Sequence, residues 1–160
     1  MMDLLLKLWK TLRLPKLWQL NILRMVEDQF LVGVTGVIFS KDNTILLLKH
    51  TYRTIAWSLP GGYIKAKEHP KEALEREIEE ETGLIISADT RYKIRTDRDS
   101  ARLDIVYIGA LIGGEFKPSH EVIEAGYFTF DTLPTIRKDQ LILIEKIMRE
   151  RNEGSAEDIS

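Results

Sequence analysis

Residues 62–84 read GYIKAKEHPKEALEREIEEETGL. Pro70 suits the first helical position, Glu72 the first turn and Gly83 the position just past a helix end. The stretch therefore predicts a helix from Pro70 to about Thr82. Five glutamates crowd the eight residues from Glu75 to Thr82. Glu77, Glu80 and Glu81 are related by three and four residues, so on a helix their carboxylates share one face. Converging anions repel and call for a cation, and clustered hard oxygen donors suit Mg²⁺ or Mn²⁺. Ala73 and Ile78 can face inward, whereas Glu75 and Glu79 fall on other faces and are expected to be solvated. An acidic run alone usually covers an exposed surface, because glutamate is simply a good helix former. What flanks this helix decides otherwise.

The spacing is Gly-x5-Glu-x7-Arg-Glu-U-x-Glu-Glu-x-Gly-U, with U aliphatic. Gly62, Glu68, Arg76, Glu77, Ile78, Glu80, Glu81, Gly83 and Leu84 fill every defined position. At about 5–10% usage per residue, the fixed positions coincide by chance on the order of once in 10⁸ windows. This is the Nudix box, and the chain resembles the Nudix (MutT-like) hydrolases. Leu59-Pro60-Gly61-Gly62 resembles the family's lead-in. Tyr127-Phe128 with Asp131-Thr132-Leu133-Pro134 resembles its downstream segment, so the likeness covers about residues 31–148. Three positions depart from the usual pattern. Lys67 stands where glycine is frequent, His69 where a Ser or Thr cap is usual, and Tyr127 where tryptophan is common.

The resemblance implies an α/β fold, a Nudix-type α/β/α sandwich with a mixed β-sheet and a loop–helix–loop motif. It implies a pyrophosphohydrolase that cleaves a diphosphate bond in a nucleoside diphosphate linked to another moiety, by attack of a metal-activated water. ADP-ribose-like compounds and nucleoside triphosphates are the leading substrate classes, with Mg²⁺ or Mn²⁺ as cofactor. Carried over by motif position, Glu77, Glu80 and Glu81 are the expected metal ligands, with the carbonyl of Gly61 adding an oxygen. Arg76 is expected to orient the carboxylates and Glu68 to hold the loop or act through a water. Gly62 and Gly83 are expected to serve a tight loop and a helix stop. A base outside the box is common in the family, and Glu121 is preferred over Glu124 for it. A non-catalytic nucleotide sensor on the same fold is the alternative, although such modules usually lose one of the paired glutamates. An isoprenoid diphosphate isomerase would need a cysteine, and the chain has none.

Outward from the box, Leu31–Phe39 and Thr44–Lys49 are apolar runs separated by Ser40-Lys41-Asp42-Asn43, which reads as a hairpin. Trp57–Gly62 reads as a short extended piece entering a glycine loop. Leu103–Ile112 and Gly126–Phe130 read as strands, with Gly113-Gly114 a turn. Leu133-Pro134 is expected to open a last helix carrying Leu141, Ile144, Ile147 and Met148. Residues 150–160 are polar and expected to fray. Between strand and glycine loop, Tyr52 can stack on a base and Arg53 can meet a phosphate. Arg91, Arg95, Arg98 and Arg102 alternate with Asp97, Asp99 and Asp104. That mixture favours a solvated loop, with phosphate recognition the alternative.

The division expected is a basic amphipathic segment at 1–29, a hydrolase domain at 30–149 and a polar tail at 150–160. In the 160 residues, 23 Lys+Arg face 25 Asp+Glu, a net charge of −2, which argues against duplex nucleic acid as a partner. The three histidines lack the short paired spacing of zinc motifs. Absent cysteines permit a reducing, cytoplasmic location. Met1–Met25 carries Lys7, Lys10, Arg13, Lys16 and Arg24 against Asp3, a local charge of +4. Basic residues at that density exclude a membrane-spanning helix, and a secretory signal would need an uninterrupted apolar stretch. A helix over Leu4–Leu12, interrupted near Pro15, is expected. It would pack on the domain or on a second copy in a homodimer, or lie on an anionic membrane through residues 1–26.

Overall fold

The computed structural model describes residues 15–97 and 101–157. The expected Leu4–Leu12 helix and Arg98 lie outside them, and so does most of the segment assigned to membrane contact. The chain divides into two compact units, residues 1–30 and 31–160. In the first, Pro15 caps helix α1 (Lys16–Val26), its carbonyl accepting from the N–H groups of Trp18 and Gln19. Proline at a helix entrance loses nothing, because its missing N–H would have no intrahelical partner. No helix among the described residues is long and apolar enough to cross a membrane.

The second unit holds strands β1 (Leu31–Phe39), β2 (Ile45–His50), β3 (Trp57–Ser58), β4 (Gly61–Tyr63), β5 (Leu84–Asp97), β6 (Arg102–Gly114) and β7 (Val122–Phe128). Helix α2 (Pro70–Thr82) follows β4, and α3 (Lys138–Glu157) follows β7 and a 3-10 turn at Phe130–Thr132. The strands form one mixed sheet in the order β3-β2-β1-β6-β5, with β4 added to β1 and β7 to β2. β1 and β6 run parallel in register from Leu31–Arg102 to Phe39–Ala110, and the other pairings are antiparallel.

Alternation along the strands sends side chains to two cores, the period-2 rule of a sheet covered on both faces. Val34, Ile38, Leu46 and Leu48 pack with Ala73, Leu74 and Ile78 of α2. Val37, Phe39, Ile45, Leu47 and Val106 pack with Leu143, Ile144 and Ile147 of α3. The result is the α/β/α sandwich expected.

Several elements differ from the sequence reading. β5, fourteen residues long, mixes charged and apolar positions and was not legible as a strand. Gly113 and Gly114 extend β6 and pair with Ile85 and Leu84 instead of turning. β7 begins at Val122, and α3 begins at Lys138 and runs to Glu157. In α3 the core positions are Leu143, Ile144 and Ile147, while Leu141 is exposed.

Candidate active site

The box helix is capped by residues the motif leaves open. His69 accepts the Lys71 N–H on Nδ1 at 3.2 Å, and Glu72 accepts the His69 N–H at 3.2 Å, a reciprocal capping box. Histidine thus replaces the usual hydroxyl cap with a ring nitrogen. At the far end Gly83 takes φ 71° and donates to the Glu79 carbonyl at 2.8 Å, the left-handed stop its sequence position suggests. Gly62 serves a different purpose from the loop glycine expected. It lies in β4, and a Cβ there would meet the Glu77 Cγ at 2.4 Å, so its missing side chain is the seat of Glu77. Gly61 pairs with Thr35, where a Cβ would strike the Val34 carbonyl at 2.2 Å.

Arg76 is the hub of the motif. Its Nε and Nη2 donate to the two oxygens of Glu68 at 2.6 and 3.0 Å, and Nη1 donates to Glu77 at 2.8 Å and to Glu80 at 3.0 Å. Nη2 also reaches the Tyr63 carbonyl at 3.3 Å. The Lys65 N–H adds a bond to Glu68 at 3.0 Å. These bonds hold the Glu68 carboxyl down to about 2, the Arg76 side-chain bond being the largest cause, and they raise Arg76 in return.

A cleft of about 1140 Å³ opens beside this hub. Glu77, Glu81 and Glu121 line it, together with Tyr52, Arg53, Gly61 and Gly62. Burial, then the charges of Glu121 and Glu77, push the Glu81 carboxyl up to about 7, with Arg53 pulling the other way. Glu80 is placed differently: half exposed, it is tied to Arg76 and lies 3.6 Å from Lys65. A helix advances about 100° per residue, so Glu81 lies about 40° to one side of Glu77 and Glu80 about 60° to the other. Arg76 draws the latter outward.

Glu121 and Glu124, equivalent in a sequence, separate in the structure. Glu124 sits in β7 and pairs with Lys49 at 2.9 Å. Glu121 precedes β7, and its carbonyl accepts the Thr51 N–H at 3.0 Å, which ties it to the loop carrying Tyr52 and Arg53. Arg53 donates to Ser58 at 2.8 Å and stacks over the Tyr52 ring at 5.5 Å. His50, at the bulge that ends β2, is buried with neither ring nitrogen hydrogen-bonded. Desolvation, reinforced by Arg53, lowers it to about 4, so it stays neutral.

Two placements overturn the expected exposures. Glu75 is not simply solvated: it accepts the N–H of buried Ala88 at 2.9 Å and lies 3.6 Å from Lys71. Arg95 and Arg102 belong to no loop; they sit on β5 and β6 and line the cleft around buried Asp104. Asp104, with Thr35, is the part of the site the sequence reading missed. Strand alternation, Asp104 and Val106 sharing one face, was the signal for it.

Among the described residues, no three Asp, Glu, His or Cys side chains already stand around one point as ion ligands would. The donor chemistry still fits a hard divalent cation. Glu77 meets Arg76 through Oε1 and Glu80 through Oε2, leaving each a second oxygen. Glu81 is a half-buried carboxyl among other carboxyls, a place where a cation relieves repulsion.

Residues 29–148 match the family model of the NUDIX domain. The chain is 38% identical over 127 residues to an ADP-ribose pyrophosphatase of Methanocaldococcus jannaschii, covering 76% of this chain and 75% of that protein. It is 29% identical to the human 8-oxo-dGDP phosphatase NUDT18 over 76% of this chain but only 40% of that protein. Among solved structures, an ADP-ribose pyrophosphatase of Streptococcus suis superposes with TM-score 0.64 at 29% identity, covering 76% of this chain and 93% of the other. A MutT NUDIX hydrolase of Burkholderia pseudomallei gives TM-score 0.64 at 30% identity over 74% and 98%. With the box, the sandwich and the cleft in agreement, the chain belongs to the NUDIX domain family.

Proposed function

We propose that this chain is a divalent-metal-dependent hydrolase that splits the diphosphate bond of a nucleoside diphosphate linked to another moiety, with ADP-ribose-like compounds the first class to try. The convergence of Glu77, Glu81 and Glu121 on one cleft that also presents Tyr52 and Arg53 carries this reading. The likeness to ADP-ribose pyrophosphatases supports the substrate class.

In this reading Glu77 and Glu81, with Glu80 and the Gly61 carbonyl, would hold Mg²⁺ or Mn²⁺. Such a cation would supply charge neutralisation for the phosphates and polarise the attacking water. Glu121, set by Thr51 beside Glu81, takes the proton of the attacking water as its oxygen bonds to phosphorus and the bridging P–O bond breaks. Arg53 meets a phosphate oxygen and Tyr52 stacks on the base. Arg76 and Glu68 act at one remove, fixing loop against helix so that the carboxylates keep their place.

The test is hydrolysis of ADP-ribose, dinucleoside polyphosphates, normal and oxidised nucleoside triphosphates and 5′-triphosphorylated RNA, with Mg²⁺ or Mn²⁺ and with chelator. Metal-dependent cleavage of a diphosphate bond is expected. No turnover, combined with metal-dependent thermal stabilisation by a nucleotide, would instead favour a sensor.

A further inference from the structure

The cleft has a second lining, of opposite character, on the other face of the sheet. Val34 packs toward α2, where Glu77 rests on its partner Gly62. Thr35 and Asp104 alternate to the face that Val37 and Val106 share with α3. There Asp104, only 3% exposed, accepts from the Thr35 hydroxyl at 2.9 and 3.0 Å. It also accepts from Arg95 Nε at 2.9 Å and from Arg102 Nη2 at 3.0 Å. Arg95 Nη1 continues to Asp139 at 3.2 Å, whose other oxygen accepts from Arg137 at 2.9 Å. The Arg102 guanidinium lies over Gly33, where a Cβ would meet its Nη2 at 2.4 Å, and stacks 5.0 Å from the Tyr63 ring centroid.

The hydrogen-bond ledger of this network is one-sided. Each oxygen of buried Asp104 accepts from Thr35 and from an arginine, so this carboxylate is saturated and offers a ligand no acceptor, while each oxygen of Asp139 accepts one arginine bond. Among the described residues, Arg95 keeps its Nη2, Arg102 its Nη1 and its buried Nε, and Arg137 both terminal nitrogens without a protein acceptor. Among the described side chains of this network, three guanidinium charges face two carboxylates, an excess of one positive charge. Guanidinium groups fixed by a buried carboxylate are preorganised, so little side-chain entropy is lost when they bind. Around Asp104 the spare groups are guanidinium donors and not carboxylate acceptors, and fixed donors of that kind read an anionic oxygen group.

We infer that Arg95 and Arg102, positioned by Asp104, form a subsite for a phosphoryl or carboxylate group of the substrate outside the scissile diphosphate. This rests on the proposed hydrolase reading and narrows it. The preferred substrate carries an additional anion, either a phosphate on a ribose or an acidic sugar, and Tyr63 flanks it with an aromatic face.

Two substrate pairs separate the sources: ADP-ribose against its 2′-phosphate, and UDP-glucose against UDP-glucuronate, assayed with Mg²⁺. At least one anionic member is expected to show kcat/KM higher by about tenfold or more than its neutral partner, the worth of one charge-assisted hydrogen bond. Arg102→Gln and Arg95→Gln are each expected to shrink that ratio to within about twofold. Because the readout is a ratio within one variant, a general loss of fold or activity does not imitate it. Equal turnover of both members of both pairs, or a ratio untouched in both variants, overturns the subsite. If nothing is hydrolysed, the hydrolase reading fails by itself, and the subsite is judged by calorimetry in chelator. Adenosine 2′,5′-bisphosphate binding about tenfold tighter than AMP sustains it, and equal binding overturns it.

Discussion

Arg76 grips Glu68 through two parallel hydrogen bonds of 2.6 and 3.0 Å, so one guanidinium clamps the loop before the box helix to the helix itself. The same side chain reaches Glu77 and Glu80, which makes it the counter-charge of the carboxylate face. Lysine cannot reproduce a planar fork that serves three carboxylates. Arg76→Lys is therefore expected to lower kcat roughly 10-fold and Arg76→Gln nearer 100-fold, the usual scale for a residue that orients metal ligands. Steady-state kinetics with saturating Mg²⁺ check this; an Arg76→Gln enzyme with unchanged kcat would remove the orienting role.

Glu75 lies on the same acidic helix but has another task, accepting the N–H of buried Ala88. Glu75→Ala strands that donor and is expected to cost about 1–2 kcal/mol in urea unfolding, whereas Glu75→Gln keeps an acceptor and costs less. The kcat of both folded variants should match the parent.

Lys67 holds a left-handed conformation, φ 69°, in the loop before the box helix. An L side chain pays about 1–2 kcal/mol for that geometry, and glycine does not. Greater freedom of glycine in the unfolded chain offsets part of the gain. Lys67→Gly is expected to raise stability by up to about 1 kcal/mol with unchanged turnover, and a loss of stability would contradict the strain.

His50 gives the fold a dependence on pH. Its folded value is lowered to about 4 from 6.5, chiefly by burial, so the native state keeps it neutral while the unfolded chain protonates. The contribution is complete above about pH 6.5 and is lost as pH falls toward 4. Urea denaturation at pH 7 and 4.5 should show a decline that His50→Leu reduces by on the order of 2 kcal/mol. Parallel declines in both proteins would assign the sensitivity to other groups.

The box, the helix it predicts and the two apolar strands before it were legible because each rests on local pattern: spacing, capping and β-branched runs. The site was legible only in part. Glu77, Glu80 and Glu81 look equivalent on a helical wheel, and it takes Arg76 and Lys65 to draw Glu80 aside. Glu121 and Glu124 are told apart by the Lys49 pairing across β2 and β7, a long-range fact. β5 escaped notice because Arg91, Lys93 and Arg95 interrupt its apolar run. Asp104, following Arg95 and Arg102 in a run of mixed charge, looked like surface charge until the β5–β6 register placed Arg95 opposite it.

Glu81 concentrates the central claim, since its half-buried carboxyl stands beside Glu77 and Glu121 in the cleft. The decisive measurement is hydrolysis of ADP-ribose across a Mg²⁺ titration by the parent protein and Glu81→Gln, with melting temperatures taken in chelator. The account predicts saturable, Mg²⁺-dependent cleavage by the parent and a kcat lower by roughly 10²-fold in the variant. It also predicts a melting temperature in chelator equal to or above the parent's, because one of several crowded like charges has been removed. Cleavage that ignores chelator, or full Mg²⁺-dependent activity in Glu81→Gln, would contradict it.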